Sequence, residues 1–278
     1  MSPQAVAATA GHPRAFLAAL DPRRGHLPQI ILGRILVFLA VVTLWQLAVQ
    51  AKLLDFYFVS SPAAIAQRLW ELTLSGRLFV HLGVTFWEVV LGFVVGAILG
   101  VGCGMAMAAG RLVPEILDPY IMALYGLPRA ALAPLFVVWF GIGIASKVAV
   151  GASIVFFLCL FSTYSGMRLT DTLLLQAVKA LGASQRQLLL KVRVPYALPW
   201  IIAGLKSSVG MALIGTIVGE FVAASRGIGW YIAYAGGSYD TTGVMAGLVV
   251  LGLMSIALNT ALRRLEARLL NWKPDIAV

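Results

Sequence analysis

Few residues of this chain are equipped for chemistry, and those few stand out against apolar surroundings. Only 12% of its residues are charged. Arg129 follows Pro128 inside a long apolar run, with Pro134 one to two turns on. A guanidinium at that depth is costly unless it faces protein or a water-filled cavity. Two prolines can break the helix there and free backbone groups to line such a cavity. An arginine so placed would attract a sulfonate or carboxylate. The plainer reading is a structural ion pair, with Glu88 or Glu220 as partner. Glu220 ends another apolar run, just before the Gly-rich and aromatic stretch 223–242. It would anchor that stretch or line a gate. Ser153, Ser162, Thr163, Tyr164, Ser207, Ser208 and Thr216 also lie in apolar runs. Interhelical hydrogen bonds are their commoner role; Ser153, Ser208 and Thr216 are the candidates for lining a polar path.

The chemistry that is missing matters as much. A phosphate-cradling loop needs Gly-x-x-x-x-Gly-Lys-Ser/Thr, and no Gly-Lys pair occurs. His12, His26 and His81 are scattered, and no cluster of His, Cys and carboxylates has metal-ligand spacing. No catalytic residue, metal or cofactor is therefore expected in this chain. Cys103 and Cys159 read as small core residues.

The elements that position these residues are set by hydropathy. Of 278 residues, 60% are hydrophobic, and the mean hydropathy is +0.92. A soluble domain would carry roughly twice the charged fraction, so the solvent is a bilayer. Six segments offer the roughly 20 apolar residues that a spanning helix needs: 30–49, 85–109, 117–140, 148–166, 200–222 and 243–262. They show no period-two alternation, so an all-α membrane protein is expected, not a barrel. No signal core precedes the first run, and Arg23 and Arg24 fit an uncleaved first span with its N-terminus inside. That topology puts fifteen of the 21 Lys and Arg on the cytoplasmic side and leaves Lys52, Arg68, Arg77, Arg129, Lys147 and Arg226. The bias is the one expected of cytoplasmic loops, and it accounts for the net charge of +10 without nucleic acid. The organisation read from this is a cytoplasmic tail over 1–29, a membrane domain over 30–262 and a cytoplasmic tail over 263–278. Residues 63–74, with Pro62 in the first turn, read as a short external helix. No inverted repeat is evident.

Between the fourth and fifth spans lies a charged, amphipathic island, 171–195. Asp171 can cap a helix through Leu181, and Leu174, Val178 and Leu181 form one stripe. Gly182 permits a sharp turn. Ser184-x-x-Gln187 is a capping-box pattern, predicting a second short helix over 185–192 that Pro195 stops. Gly92, Gly96, Gly100 and Gly104 make a small-residue stripe for close helix approach, within the chain or between copies.

Gln176-Ala177-Val178-Lys179-Ala180-Leu181-Gly182, with Pro195 thirteen residues further on, resembles the cytoplasmic coupling loop of permease subunits of bacterial ATP-binding-cassette importers. Their pattern is Glu-Ala-Ala-x-x-x-Gly, nine residues, then Ile-x-Leu-Pro. Here Gln176 replaces the Glu, Val178 the second Ala, and Val192 and Val194 the Ile and Leu. Pro128 with Ala131, Pro134-Leu135, Trp139-Phe140-Gly141-x-Gly143, Ser60-Ser61-Pro62, Gly219-Glu220 and Gly227-x-Gly229 resemble the branch associated with nitrate, sulfonate and taurine uptake. The resemblance implies a type I importer permease fold in the cytoplasmic membrane. It implies two ATPase subunits carrying ATP and Mg, a second permease copy and an external solute-binding protein. Gln176, Ala177, Lys179, Ala180, Gly182, Ala183, Arg186 and Pro195 would couple to the ATPase, and the solute would be small and anionic. An interfacial amphipathic helix is the alternative reading of the island. A stand-alone secondary transporter or channel is the competing class; it would need intramembrane acidic residues and repeat symmetry. A non-transporting scaffold is the third, against which the polar, proline-broken third span argues.

Overall fold

The computed structural model describes residues 27–110 and 112–269. The expectations for residues 1–26 and 270–278 lie outside the described residues. The described residues divide into two compact units, one ending at Ala63 and one starting at Ala64.

In the first unit, helix α1 (Leu27–Gln50) is apolar and almost wholly exposed, as a lipid-facing span should be. A short helix α2 (Phe56–Val59) follows, capped by Asp55, whose Oδ1 accepts from Tyr57 N at 2.9 Å. Helix α3 (Pro62–Leu74) starts at Pro62 as expected, and from Ala64 on it belongs to the second unit.

In the second unit, α4 (Arg77–Ala108), α7 (Ile144–Arg168) and α10 (Val194–Val222) are long apolar helices. The chain packs them with α7 between α4 and α10. The glycine stripe on α4 faces α7 of the same chain. A Cβ on Gly96 would lie 2.6 Å from the carbonyl of Ala152, and one on Gly104 2.7 Å from that of Leu160. On the other side of α7, Gly151 and Gly215 meet backbone to backbone. Such contacts stand in for the hydrophobic effect, which lipid largely removes as a drive for helix association. Val89, Ala97, Val155, Cys159, Ala212, Leu213, Ile217 and Met254 form the central core. Ala108, Met167, Ala197 and Ile201 close one end of the unit, and Ile228, Ile232 and Val250 the other.

Among the described residues, five helices are long and apolar enough to span, six if one bent pair counts as a span. That pair corrects the expected single run 117–140. It is two helices, α5 (Leu112–Gly126) and α6 (Arg129–Phe140), meeting at 93°. Pro128 disfavours a helical Leu127 and supplies no N–H, so the break falls there. Pro119 and Pro134 are carried inside the helices. The stretch 223–242 contains a helix, α11 (Ile228–Gly237), and α12 (Thr241–Leu269) runs past the expected end at 262.

Candidate functional site

The island between α7 and α10 is built by local rules. Asp171 caps α8 (Thr172–Ala180), its Oδ1 accepting from Leu173 N at 2.8 Å. Gly182 has φ +88° and open space where a Cβ would sit. Its N–H donates to Lys179 O, and that of Ala183 to Val178 O, closing α8 with a left-handed cap. Ser184 and Gln187 then make the expected capping box: Ser184 N donates to Gln187 Oε1 at 2.8 Å and Gln187 N to Ser184 Oγ at 3.3 Å. The second short helix differs from expectation. A single turn, α9 (Gln185–Gln187), widens into a π-type segment, Leu188–Arg193, which runs without interruption into α10. Pro195 therefore does not stop the helix. It sits in the first turn of α10, where its fixed φ is compatible with helix and its missing N–H falls at the change of register.

Gln176, Ala177, Lys179, Ala180, Gly182, Arg186 and Pro195 are all exposed, and Ala183 is half-buried. Apolar side chains stand out beside them: Leu173 is 72% exposed and Leu181 87%. The surface is basic and apolar at once. Arg193 ties this segment to α4: its Nη1 donates to the carbonyl of Ala108 at 2.8 Å.

At the other end of α4 lies a buried polar network. Glu220 and Glu88 are 1% and 3% exposed, and Lys147 is 2%. Glu220 Oε1 accepts from Thr85 Oγ1 at 2.6 Å; Glu220 Oε2 accepts from Gly229 N at 2.5 Å and Trp230 N at 3.3 Å. Thr85 Oγ1 in turn accepts from Ile228 N at 2.7 Å, and His81 Nδ1 from Gly227 N at 3.1 Å. Glu88 lies one turn along α4 from Thr85, and its Oε2 is buried with no hydrogen-bond partner among the described residues. Lys147 Nζ donates to the carbonyls of Ile142 and Gly143. Glu220 thus takes two N–H groups at the start of α11, Thr85 and His81 take those of Ile228 and Gly227, and together they anchor the Gly-rich stretch. Gly227, at φ +118°, and Gly229 leave no room for a Cβ beside that carboxylate.

The remaining candidates are dispersed. Arg129 opens α6, half-buried, and its guanidinium meets neither Glu88 nor Glu220. Its Nη1 donates to Tyr125 O at 2.8 Å and its Nη2 to Leu124 O at 3.3 Å. It also lies 4.4 Å from the ring centre of Phe157 and 5.0 Å from that of Tyr125. It stitches α6 to the last turn of α5 across the Pro128 break. Pro134 lies one to two turns further along α6. Ser208 and Thr216 are buried within the packed helices. Ser208 Oγ donates to Gly204 O at 2.7 Å and lies 3.5 Å from Cys159 Sγ; Thr216 Oγ1 lies over Gly151. Ser153 donates to Val150 O. Sequence reasoning missed Thr85, Lys147 and His81 as members of the network. Their signal was present: each is a polar group close to the end of an apolar run.

Residues 92–271 match a family model described as the binding-protein-dependent transport system inner membrane component. The chain is 32% identical over 233 residues to the putative aliphatic sulfonates transport permease protein SsuC of Bacillus subtilis (strain 168), covering 84% of each chain. It is 33% identical over 239 residues to the formylaminopyrimidine transport permease protein ThiX of Halalkalibacterium halodurans, covering 86% of this chain and 94% of that one. Its backbone resembles a chain of the MetNI methionine ABC transporter in inward-facing conformation, with a TM-score of 0.56 at 22% identity over 69% of this chain and 94% of that chain. The last likeness bears on fold alone, and the fold is that of a type I importer permease.

Proposed function

The chain belongs to the family of binding-protein-dependent transport system inner membrane components, and we propose from that premise how its parts divide the work of import. It is the membrane-spanning subunit of an ATP-binding-cassette importer, multi-pass in the bacterial inner membrane, and its partners are an ATPase and a binding protein. Membership sets aside the stand-alone transporter or channel.

In our reading, segment 171–195 docks in a groove of the ATPase. Leu173 and Leu181 supply apolar contact, and Lys179 and Arg186 supply charge. Gln176, Ala177, Ala180, Gly182 and Ala183 shape the docking face. Two ATPase subunits bind ATP and Mg, and a second copy of this chain completes the pore. Both termini are cytoplasmic. The solute is a small anion handed over by the binding protein, and Pro128, Arg129, Pro134, Ser153, Ser208, Thr216 and Glu220 flank its path or gate.

One observation carries this reading. The exposed segment is capped at each turn and continues as unbroken helix into α10. A force applied at α8 and α9 therefore reaches the packed helices without loss in a slack loop. The switch it drives needs two global states, each biased by ATP or by the binding protein.

The test is ATP hydrolysis by the assembled complex in lipid nanodiscs. Binding protein should raise the rate in the wild type. The Gly182→Asp complex should assemble with that stimulation lost, because Asp tolerates the left-handed turn but sets a carboxylate against the basic docking face of Lys179 and Arg186. Full stimulation in Gly182→Asp would refute the role given to the segment.

A further inference from the structure

A cavity of about 590 Å³ opens between the start of α4 and α11. Its size is that of small-molecule pockets, which run about 300–1,000 Å³. Arg77 and Arg226 bring two positive charges to its wall, and among the described residues no carboxylate lines it. Neither arginine belongs to the three ion pairs found among the described residues. His81, Trp230 and Tyr234 supply an aromatic wall: His81 stacks on Trp230 at 5.3 Å, and Trp230 on Tyr234 at 5.4 Å. That wall is held in place. The Trp230 N–H is taken by Glu220, and His81 Nδ1 is taken by Gly227 N. A planar apolar body would find a preformed face there, and an oxyanion would find two donors with geometry suited to sulfonate or carboxylate.

Position adds to chemistry. Arg193 meets Ala108 at the last residue of α4, whereas the pocket lies at its first turns. The pocket and the ATPase-docking segment are thus at opposite ends of one helix. We propose that this pocket receives an organic oxyanion, a small sulfonate or carboxylate with a planar or apolar body, at the outer mouth of the transporter. The proposal rests on the importer reading for its sidedness and names the substrate class at a specific site.

The experiment is equilibrium binding to the assembled complex in phosphatidylcholine nanodiscs, without ATP and without binding protein. Binding is then read independently of ATPase coupling, so a failed docking assignment for segment 171–195 leaves this test intact. The probes are benzenesulfonate and its uncharged analogue benzenesulfonamide. Benzenesulfonate should bind and weaken with added NaCl, and benzenesulfonamide should not bind. Arg77→Gln/Arg226→Gln should raise the benzenesulfonate Kd at least about tenfold, the scale of one lost charge-assisted hydrogen bond. Arg226→Lys should retain part of the affinity. Equal binding of the two probes, or an unchanged Kd in the double variant, would overturn the proposal. If the double variant does not fold, the salt dependence and Arg226→Gln alone decide it. A second arm uses nanodiscs containing phosphatidylglycerol. Undiminished benzenesulfonate binding there supports a soluble solute. Competition by the lipid would contradict that and give the pocket to a headgroup phosphate.

Discussion

Arg193 and Ala108, 85 residues apart in sequence, are joined by a 2.8 Å hydrogen bond from the guanidinium Nη1 to the main-chain carbonyl. Ala108 is the last residue of α4 and Arg193 the last of the π-type segment. A cation at a helix C-terminus satisfies an orphan carbonyl and suits the helix dipole. The bond ties segment 171–195 to two helices: α10 by covalent continuity, α4 by this contact. Replacing Arg193 with Gln should cost about 1.5–3 kcal/mol at this junction, the range for a hydrogen bond to a charged group. Binding-protein stimulation of ATP hydrolysis should fall, and Arg193→Lys should restore part of it. Stimulation in Arg193→Gln equal to wild type would show that α4 is not driven through this contact.

Gly182 separates conformation from space. Its φ is +88°, and nothing lies within 4 Å of the place a Cβ would take. Asn visits the left-handed region with modest penalty, whereas a β-branched residue does not. Gly182→Asn should therefore keep most transport activity, and Gly182→Val should lose it. Equal activity of the two would show that the left-handed turn is not needed.

The glycine face of α4 predicts the opposite pattern, because there space decides. Gly96→Ala should destabilise the complex by about 1–3 kcal/mol through overpacking against α7. A lowered thermal midpoint in detergent is the readout. Gly102→Ala, on the open side of the same helix, should leave that midpoint unchanged. A shift of equal size in both would refute the packing account.

Glu220 anchors α11 through Gly229 N and Trp230 N. Glu220→Ala should speed amide hydrogen exchange over 227–237 relative to the centre of α7. Unaltered exchange there would mean that Glu220 is not what holds α11.

Much of this was legible in the sequence, for a physical reason in each case. Apolar length disclosed the spans, since lipid demands about 20 apolar residues. Asp171, Gly182 and Ser184 disclosed the caps and the turn of segment 171–195, since caps and left-handed turns are local chemistry. What stayed hidden was long-range. Nothing local says that Arg193 reaches Ala108, or that Glu220 collects the N–H groups of α11 instead of pairing with Arg129. Pro128 and Pro134 look alike in sequence, yet only Pro128 coincides with the 93° bend. Pro195 misled in the other direction, because a π-type turn carries the helix past it.

The central claim is that segment 171–195 is the surface the ATPase grips. Leu181, 87% exposed, and Tyr239, 92% exposed, lie at opposite ends of the second unit. A photo-crosslinking residue placed at each, in membranes of cells producing the whole importer, tests the claim directly. Adducts with the ATPase from position 181 and none from position 239 are predicted. Adducts from 239 and none from 181 would contradict it.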